Sequence, residues 1–213
     1  MSKQILVFGD SVAYGAWDEA GGWVERLKCK INRKVISSDL EFYCDVYNLS
    51  IDGDHTGNLL KRFEFEVQQR TIEEETIIIF AIGINDSCFI KSRNAFLTPS
   101  GRFRENIEKL IGLSGLYDSK VIFLGFTPVD ESKVDPVPLS RIGASYKNEY
   151  IKKYDNILRS VCLEKNTDFI GIYDEFCRTE CKKFLFDGLH PNSGGHEKIY
   201  DIVNGYLERK KIV

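Results

Sequence analysis

Short runs of β-branched and aromatic residues alternate along the chain with longer stretches of helical period, the pattern of a parallel sheet joined by crossover helices. Five runs read as strands: Gln4–Phe8, Phe42–Asn48, Thr76–Ile82, Val121–Phe126 and Phe169–Tyr173. Several are continuously apolar rather than alternating, as expected of strands covered on both faces. Ile77-Ile78-Ile79-Phe80 is the clearest and is expected at the sheet centre.

Amphipathic helices fill the intervals. One follows Gly22, with Trp23, Leu27 and Ile31 a turn apart, and a second carries Leu59, Leu60, Phe63 and Val67. A third opens at Thr98-Pro99, read as an N-cap with proline at the first helical position, and runs through Phe103, Ile107, Leu110 and Ile111. The fourth shows Tyr146, Tyr150, Tyr154, Ile157, Leu158 and Val161 on one stripe, and the last Ile199, Ile202, Val203, Tyr206 and Leu207. These aromatic stripes read as core. Two connections, Gly83 to Thr98 and Thr127 to Ala144, exceed the median of about 4–6 residues, and connections of that length are functional or disordered. Repeated βα units with right-handed crossovers predict an α/β fold: a flavodoxin-like three-layer α/β/α sandwich on a five-stranded parallel sheet, forming a single domain over residues 1–213.

Composition narrows the function classes. The 213 residues carry 29 Lys+Arg against 32 Asp+Glu, a formal net charge of −3, and are 43% hydrophobic, as in an ordinary soluble protein. With a sequence pI near 5.7 and no basic block, there is no electrostatic footprint for nucleic acid or an anionic membrane. The longest apolar run, Ile77 to Ile84 with Gly83 inside it, is far short of the ~18 residues of a membrane span. Ile5 to Phe8 is too short for a secretory signal. The expectation is therefore a cytoplasmic protein with six reduced thiols. Cys29, Cys44, Cys88 and Cys162 read as small hydrophobes. Cys177 and Cys181 lack the second pair a zinc site needs. No metal and no cofactor are expected, since there is no Gly-x-Gly-x-x-Gly or Gly-Lys-Ser/Thr phosphate loop.

In open α/β sheets, ligands bind at the carboxyl ends of the strands. After the first strand stands Gly9-Asp10-Ser11, after the second Asn48-Leu49-Ser50-Ile51-Asp52-Gly53, and after the third Gly83-Ile84-Asn85-Asp86. Asp187-Gly188-Leu189-His190-Pro191 precedes the last helix. Together these residue types suit acyl transfer. A serine hydroxyl becomes a useful nucleophile when a histidine takes its proton, and that imidazole needs a carboxylate on its other nitrogen. Asp187 and His190 are spaced to meet on a turn. The tetrahedral intermediate needs preorganised donors, which the Asn85 amide and the backbone N–H groups of Ser11 and Gly53 can supply. Each piece has a plainer reading alone. Gly-Asp-Ser is a common turn, Asn85-Asp86 can cap a helix, and Asp187 and His190 can be surface residues. Asp10 and Asp86 are read as supporting groups holding their own turns, His55 as the cap of the following helix, and His196 as an exposed residue of the last helix.

These four blocks, in this order, resemble those of the SGNH hydrolases, the GDSL esterase/lipase family. Gly9-Asp10-Ser11, Asn48 through Gly53, Gly83–Asp86 and Asp187–His190 match its blocks, with Val12 where the family's short name has leucine. The resemblance implies the SGNH fold and a serine esterase with Ser11 as nucleophile, His190 as base and Asp187 as its orienter. It further implies Ser11, Gly53 and Asn85 as oxyanion donors. The implied partner is a small-molecule ester: an acyl or acetyl ester, a thioester or a lysophospholipid. The alternative is a catalytically silent SGNH-like carbohydrate-binding or interaction domain.

Overall fold

A computed structural model describes residues 2–70, 75–178 and 180–213. Its strands β1 (Lys3–Gly9), β2 (Cys44–Asn48) and β3 (Glu75–Ala81) lie beside β6 (Lys120–Leu124) and β8 (Asp168–Ile170) in one parallel sheet. The order is β2-β1-β3-β6-β8. Strands β4 (Phe89–Ile90), β5 (Ala95–Phe96) and β7 (Ala144–Ser145) form a second, antiparallel sheet in the order β5-β4-β7. The helices are α1 (Ser11–Tyr14), α2 (Gly22–Ser37), α3 (Thr56–Gln68), α4 (Ser100–Gly115), α5 (Glu131–Val134), α6 (Asn148–Glu164), α7 (Tyr173–Cys177) and α8 (Ser193–Arg209).

The alternation of side chains along a strand divides the core into two layers. Leu6, Phe8, Ile78, Phe80 and Phe123 face α3, α4 and α6, packing with Phe63, Phe103 and Tyr154. Phe8 and Phe63 lie 5.1 Å apart between ring centroids, and Phe80 stacks on Phe123 at 4.8 Å. Ile5, Val7, Ile77, Ile79 and Ile122 face α2 and α8, packing with Trp23, Leu27, Ile199 and Val203. A strand buried on both faces needs apolar residues at consecutive positions, which is why β3 reads as an unbroken run. Among the described residues no helix is long and apolar enough to cross a membrane.

The structure differs from the sequence expectation at several points. The final strand stops at Ile170, and Tyr173 opens α7 instead of extending the sheet. Pro99, not Thr98, occupies the N-cap of α4, because Thr98 is engaged with Asp86 through its backbone N–H and side chain. Tyr146 lies before α6 rather than on its stripe. The two long connections, expected to be functional or disordered, pair with each other through the second sheet. Their apolar residues mostly pack them down. Ile90 and Val129 are buried, and Phe96 sits 5.1 Å from Tyr150 and 5.5 Å from Tyr154, while Leu139 and Ile142 are exposed. Cys44, Cys88 and Cys162 are buried, but Cys29 is exposed on α2.

Candidate active site

The sheet order accounts for the site's layout. Strand β1 lies between β2 and β3, so the loops after those two strands flank whatever follows β1. Register continues past the strand ends, with Ile51 N–H donating to the Gly9 carbonyl and Asp10 N–H to that of Ala81. Asp10 then caps α1, its carboxylate accepting the Val12 N–H at 3.0 Å. Ser11 therefore opens a helical turn, where backbone N–H groups lack intrahelical partners, and its own N–H donates to no acceptor among the described residues.

His190 is brought to Ser11 by the turn that feeds α8. The Asp187 carboxylate accepts the N–H groups of Leu189 and His190 at 2.9 and 2.8 Å, which folds the Asp-x-x-His segment back on itself. Its other oxygen lies 2.7 Å from His190 Nδ1, and His190 Nε2 lies 3.0 Å from Ser11 Oγ, across 179 residues of chain. Burial pushes the Asp187 carboxyl up, but the His190 ring and the two turn N–H groups outweigh that and hold it well below the usual carboxylate range. The indole N–H of Trp17 also reaches Nδ1, at 3.2 Å. One ring nitrogen cannot donate to Asp187 and accept from Trp17 at once. The ionised carboxylate is the stronger partner, so Nδ1 directs its N–H to Asp187 and Nε2 is the ring nitrogen that faces the serine. Trp17 packs edge-on to the imidazole and lies against Phe186, and both aromatics are largely exposed beside the site.

The flanking loops are bonded to each other. Gly53 has φ +71°, a left-handed conformation that favours glycine, and its N–H has no protein acceptor among the described residues. Asn85 is buried and donates from Nδ2 to the Asp54 carbonyl at 2.8 Å, tying the β3 loop to the β2 loop. Arg62 anchors that loop through the Asp54 carboxylate at 2.7 Å and the Leu49 carbonyl at 2.8 Å. Gly83 turns the chain at φ +131°, where a Cβ would come within 2.7 Å of Phe126. The predicted residues thus fall on one rim, with Ser11, His190 and Asp187 in contact and Gly53 and Asn85 on loops either side of the serine.

Sequence reasoning missed one contributor. Tyr146 donates its hydroxyl to Asn85 Oδ1 at 2.8 Å, and no motif marks it. Asp10 is wholly buried, and that burial pushes its carboxyl up to about 7 against the pull of the Val12 N–H. Asp86 does not hold its own turn. It accepts from Thr56 of α3, and burial raises its carboxyl despite those bonds. His55 does cap α3, its Nδ1 accepting the Gly57 N–H. His196, expected to be exposed, is fully buried on α8. Its place one turn before Ile199, with Val203 and Leu207 following on the same helical face, is the signal that marks it as core. Among the described residues no group of three or more His, Cys, Asp or Glu could hold a metal ion.

A family model described as GDSL-like lipase/acylhydrolase matches residues 7–198. No curated protein sequence matches the chain. Among solved structures the chain is similar to a lipase/acylhydrolase from Enterococcus faecalis, at 28% identity and a TM-score of 0.73, covering 99% of this chain and 97% of that one. It shares the fold of a G-D-S-L family lipolytic protein from Veillonella parvula, at 19% identity and a TM-score of 0.72 over 98% of this chain and 100% of that one. The same holds for the acetyl xylan esterase AlAXEase, at 18% identity and a TM-score of 0.70 over 96% and 99%. The family match runs from within β1 into α8 and takes in all four sequence blocks, so the chain belongs to the GDSL-like lipase/acylhydrolase family.

Proposed function

We propose that the protein is a serine esterase that hydrolyses a small-molecule carboxylic ester through an acyl-enzyme on Ser11. As a member of its family it is an ester hydrolase. The observation that carries the residue-level reading is the continuous contact from Ser11 Oγ through His190 to Asp187, at 3.0 and 2.7 Å. His190 Nε2 takes the serine proton as Oγ attacks the ester carbonyl, and Asp187 stabilises the resulting imidazolium. The Ser11 and Gly53 N–H groups and the Asn85 amide receive the charge on the former carbonyl oxygen. His190 then returns the proton to the departing alcohol, and water repeats the sequence on the acyl-enzyme.

The acyl group is that of an acyl or acetyl ester, with thioesters and lysophospholipids as the other members of a substrate panel. The test is hydrolysis of p-nitrophenyl acetate and longer esters, together with labelling by a fluorophosphonate and mapping of the adduct. Turnover with an adduct on Ser11 is expected. A folded protein giving neither would make it a silent binding domain on the same fold.

A further inference from the structure

We propose that Tyr146 is a positioning residue for the oxyanion donor, its phenol holding the carboxamide oxygen of Asn85 so that one amide N–H faces the substrate. The proposal rests on the reading of Asn85 as an oxyanion donor and deepens it.

A carboxamide offers two N–H donors and an oxygen with two lone pairs. In Asn85 one N–H is given to the Asp54 carbonyl at 2.8 Å, and the oxygen accepts the Tyr146 hydroxyl at 2.8 Å. The second N–H has no protein acceptor among the described residues. Flipping the amide would set its oxygen against the Asp54 carbonyl, where neither can donate, and would turn the phenol from donor to acceptor. Two contacts therefore fix both the rotamer and the sense of the amide, and leave one donor for the substrate.

The phenol is itself held firmly. Tyr146 is buried, and its backbone N–H donates to the Val134 carbonyl at 3.0 Å. Ser145 before it pairs with Phe89 in the small sheet and bonds the Asp135 carboxylate through its hydroxyl. Lys147 after it pairs with the same carboxylate at 3.2 Å. Burial keeps the phenol protonated well above its ordinary range, with the Cys88 thiol beside it, so the hydroxyl is a standing donor.

The bond also strengthens when it matters. As the Asn85 N–H donates to a developing oxyanion, the amide polarises and its oxygen becomes a better acceptor for the phenol, since linked hydrogen bonds reinforce one another. An interaction stronger in the transition state than in the ground state acts on kcat rather than on KM.

The experiment is a double-mutant cycle of Tyr146→Phe and Asn85→Ala in the full chain, with p-nitrophenyl acetate as substrate. Tyr146→Phe is expected to lower kcat about five- to tenfold, as loss of one neutral hydrogen bond does, with KM unchanged. In the Asn85→Ala background the same change is expected to have no further effect, since there is no carboxamide left to hold. A full-rate Tyr146→Phe variant, or an equal loss in both backgrounds, would overturn the proposal. If Asn85→Ala itself keeps full kcat, the oxyanion reading falls and takes this proposal with it. If Asn85→Ala is impaired and Tyr146→Phe is not, the Tyr146 proposal falls alone. Side-chain amide NMR gives a readout independent of turnover: the Asn85 amide protons should exchange faster with water in Tyr146→Phe, and unchanged exchange would count against the phenol's hold.

Discussion

Asp86 accepts both the backbone N–H of Thr56, at 3.0 Å, and its hydroxyl, at 2.5 Å. Asn106 donates to the same hydroxyl at 2.9 Å. The carboxylate next to Asn85 is thus committed to the start of α3, whereas that of Asp187 contacts the His190 imidazole. On the proposed mechanism Asp86 and Asp187 have separable duties, the first in stability and the second in catalysis.

Replacing each by its amide tests that division. Asp187→Asn is expected to fold normally and lose about 10²–10⁴ in kcat, because an amide favours the wrong imidazole tautomer. Asp86→Asn puts an amide N–H against a donor of Thr56 and should destabilise the fold by about 1–3 kcal/mol, the range for a buried polar group left without a partner. Measured kcat beside urea melts for both variants would decide it. A crippled Asp86→Asn with normal stability and a silent Asp187→Asn would reverse the assignment.

On the proposed mechanism Ser11→Ala and His190→Ala should each reduce turnover to a residual level, with the double variant scarcely worse, because a nucleophile and its base act as one unit. Stepwise multiplication of the two losses would mean that the 3.0 Å contact between them is not used in the reaction.

Asp10 gives the fold a pH dependence of its own. Its carboxyl, pushed up to about 7 chiefly by burial, is protonated in the folded protein over a range where the unfolded chain has already lost that proton. The associated stabilisation is fully present below about pH 4, the ordinary carboxylate range, and is lost as pH rises through 7. Asp10→Asn removes this dependence and keeps an oxygen for the Val12 N–H. The melting temperature of the variant relative to the parent should therefore climb between pH 4 and pH 8. A constant difference across that range would show that Asp10 is ionised throughout.

The two loop glycines should fail differently. At Gly83 an added Cβ would lie 2.7 Å from Phe126 and 2.9 Å from Phe103, so Gly83→Ala should cost about 1–3 kcal/mol through overpacking, beyond any backbone strain. At Gly53 a Cβ meets nothing within 4 Å, leaving only the left-handed backbone, worth about 1–2 kcal/mol. Denaturant melts should rank Gly83→Ala as the less stable; the reverse order would mean that the Phe126 ring moves aside freely.

The sequence carries much of this arrangement, though unevenly. Ile77 to Phe80 could be assigned to a central strand because burial on both faces demands an unbroken apolar run. Ser11, Asn85, Asp187 and His190 could be grouped because the chemistry of a parallel sheet collects at one end of its strands. The strand pairs Phe89–Ile90, Ala95–Phe96 and Ala144–Ser145 could not, since two residues are too few to show a period. Tyr146 fits the spacing of the α6 stripe yet sits outside the helix with its hydroxyl on a polar partner. An amphipathic side chain satisfies either reading. Residue type argues for an exposed His196, but its helical position beside Ile199 and Val203 is the better guide and the side chain is buried.

The small sheet has a consequence for exchanging parts between members of the family. Phe89 pairs with Phe96 in its own excursion and with Ser145 in the other, while Lys91 donates its backbone N–H to the Gly143 carbonyl. Neither excursion is a self-standing cassette. A graft of residues 83–98 alone would strip Ala144 and Ser145 of their strand partner and leave the root of Tyr146 unsupported. A graft of 127–146 alone would expose the edge of Phe89–Ile90. Transplanted together, the two carry their mutual hydrogen bonds with them, so the natural unit of recombination on this rim is a pair of segments separated in the sequence by α4 and β6 and adjacent in the molecule.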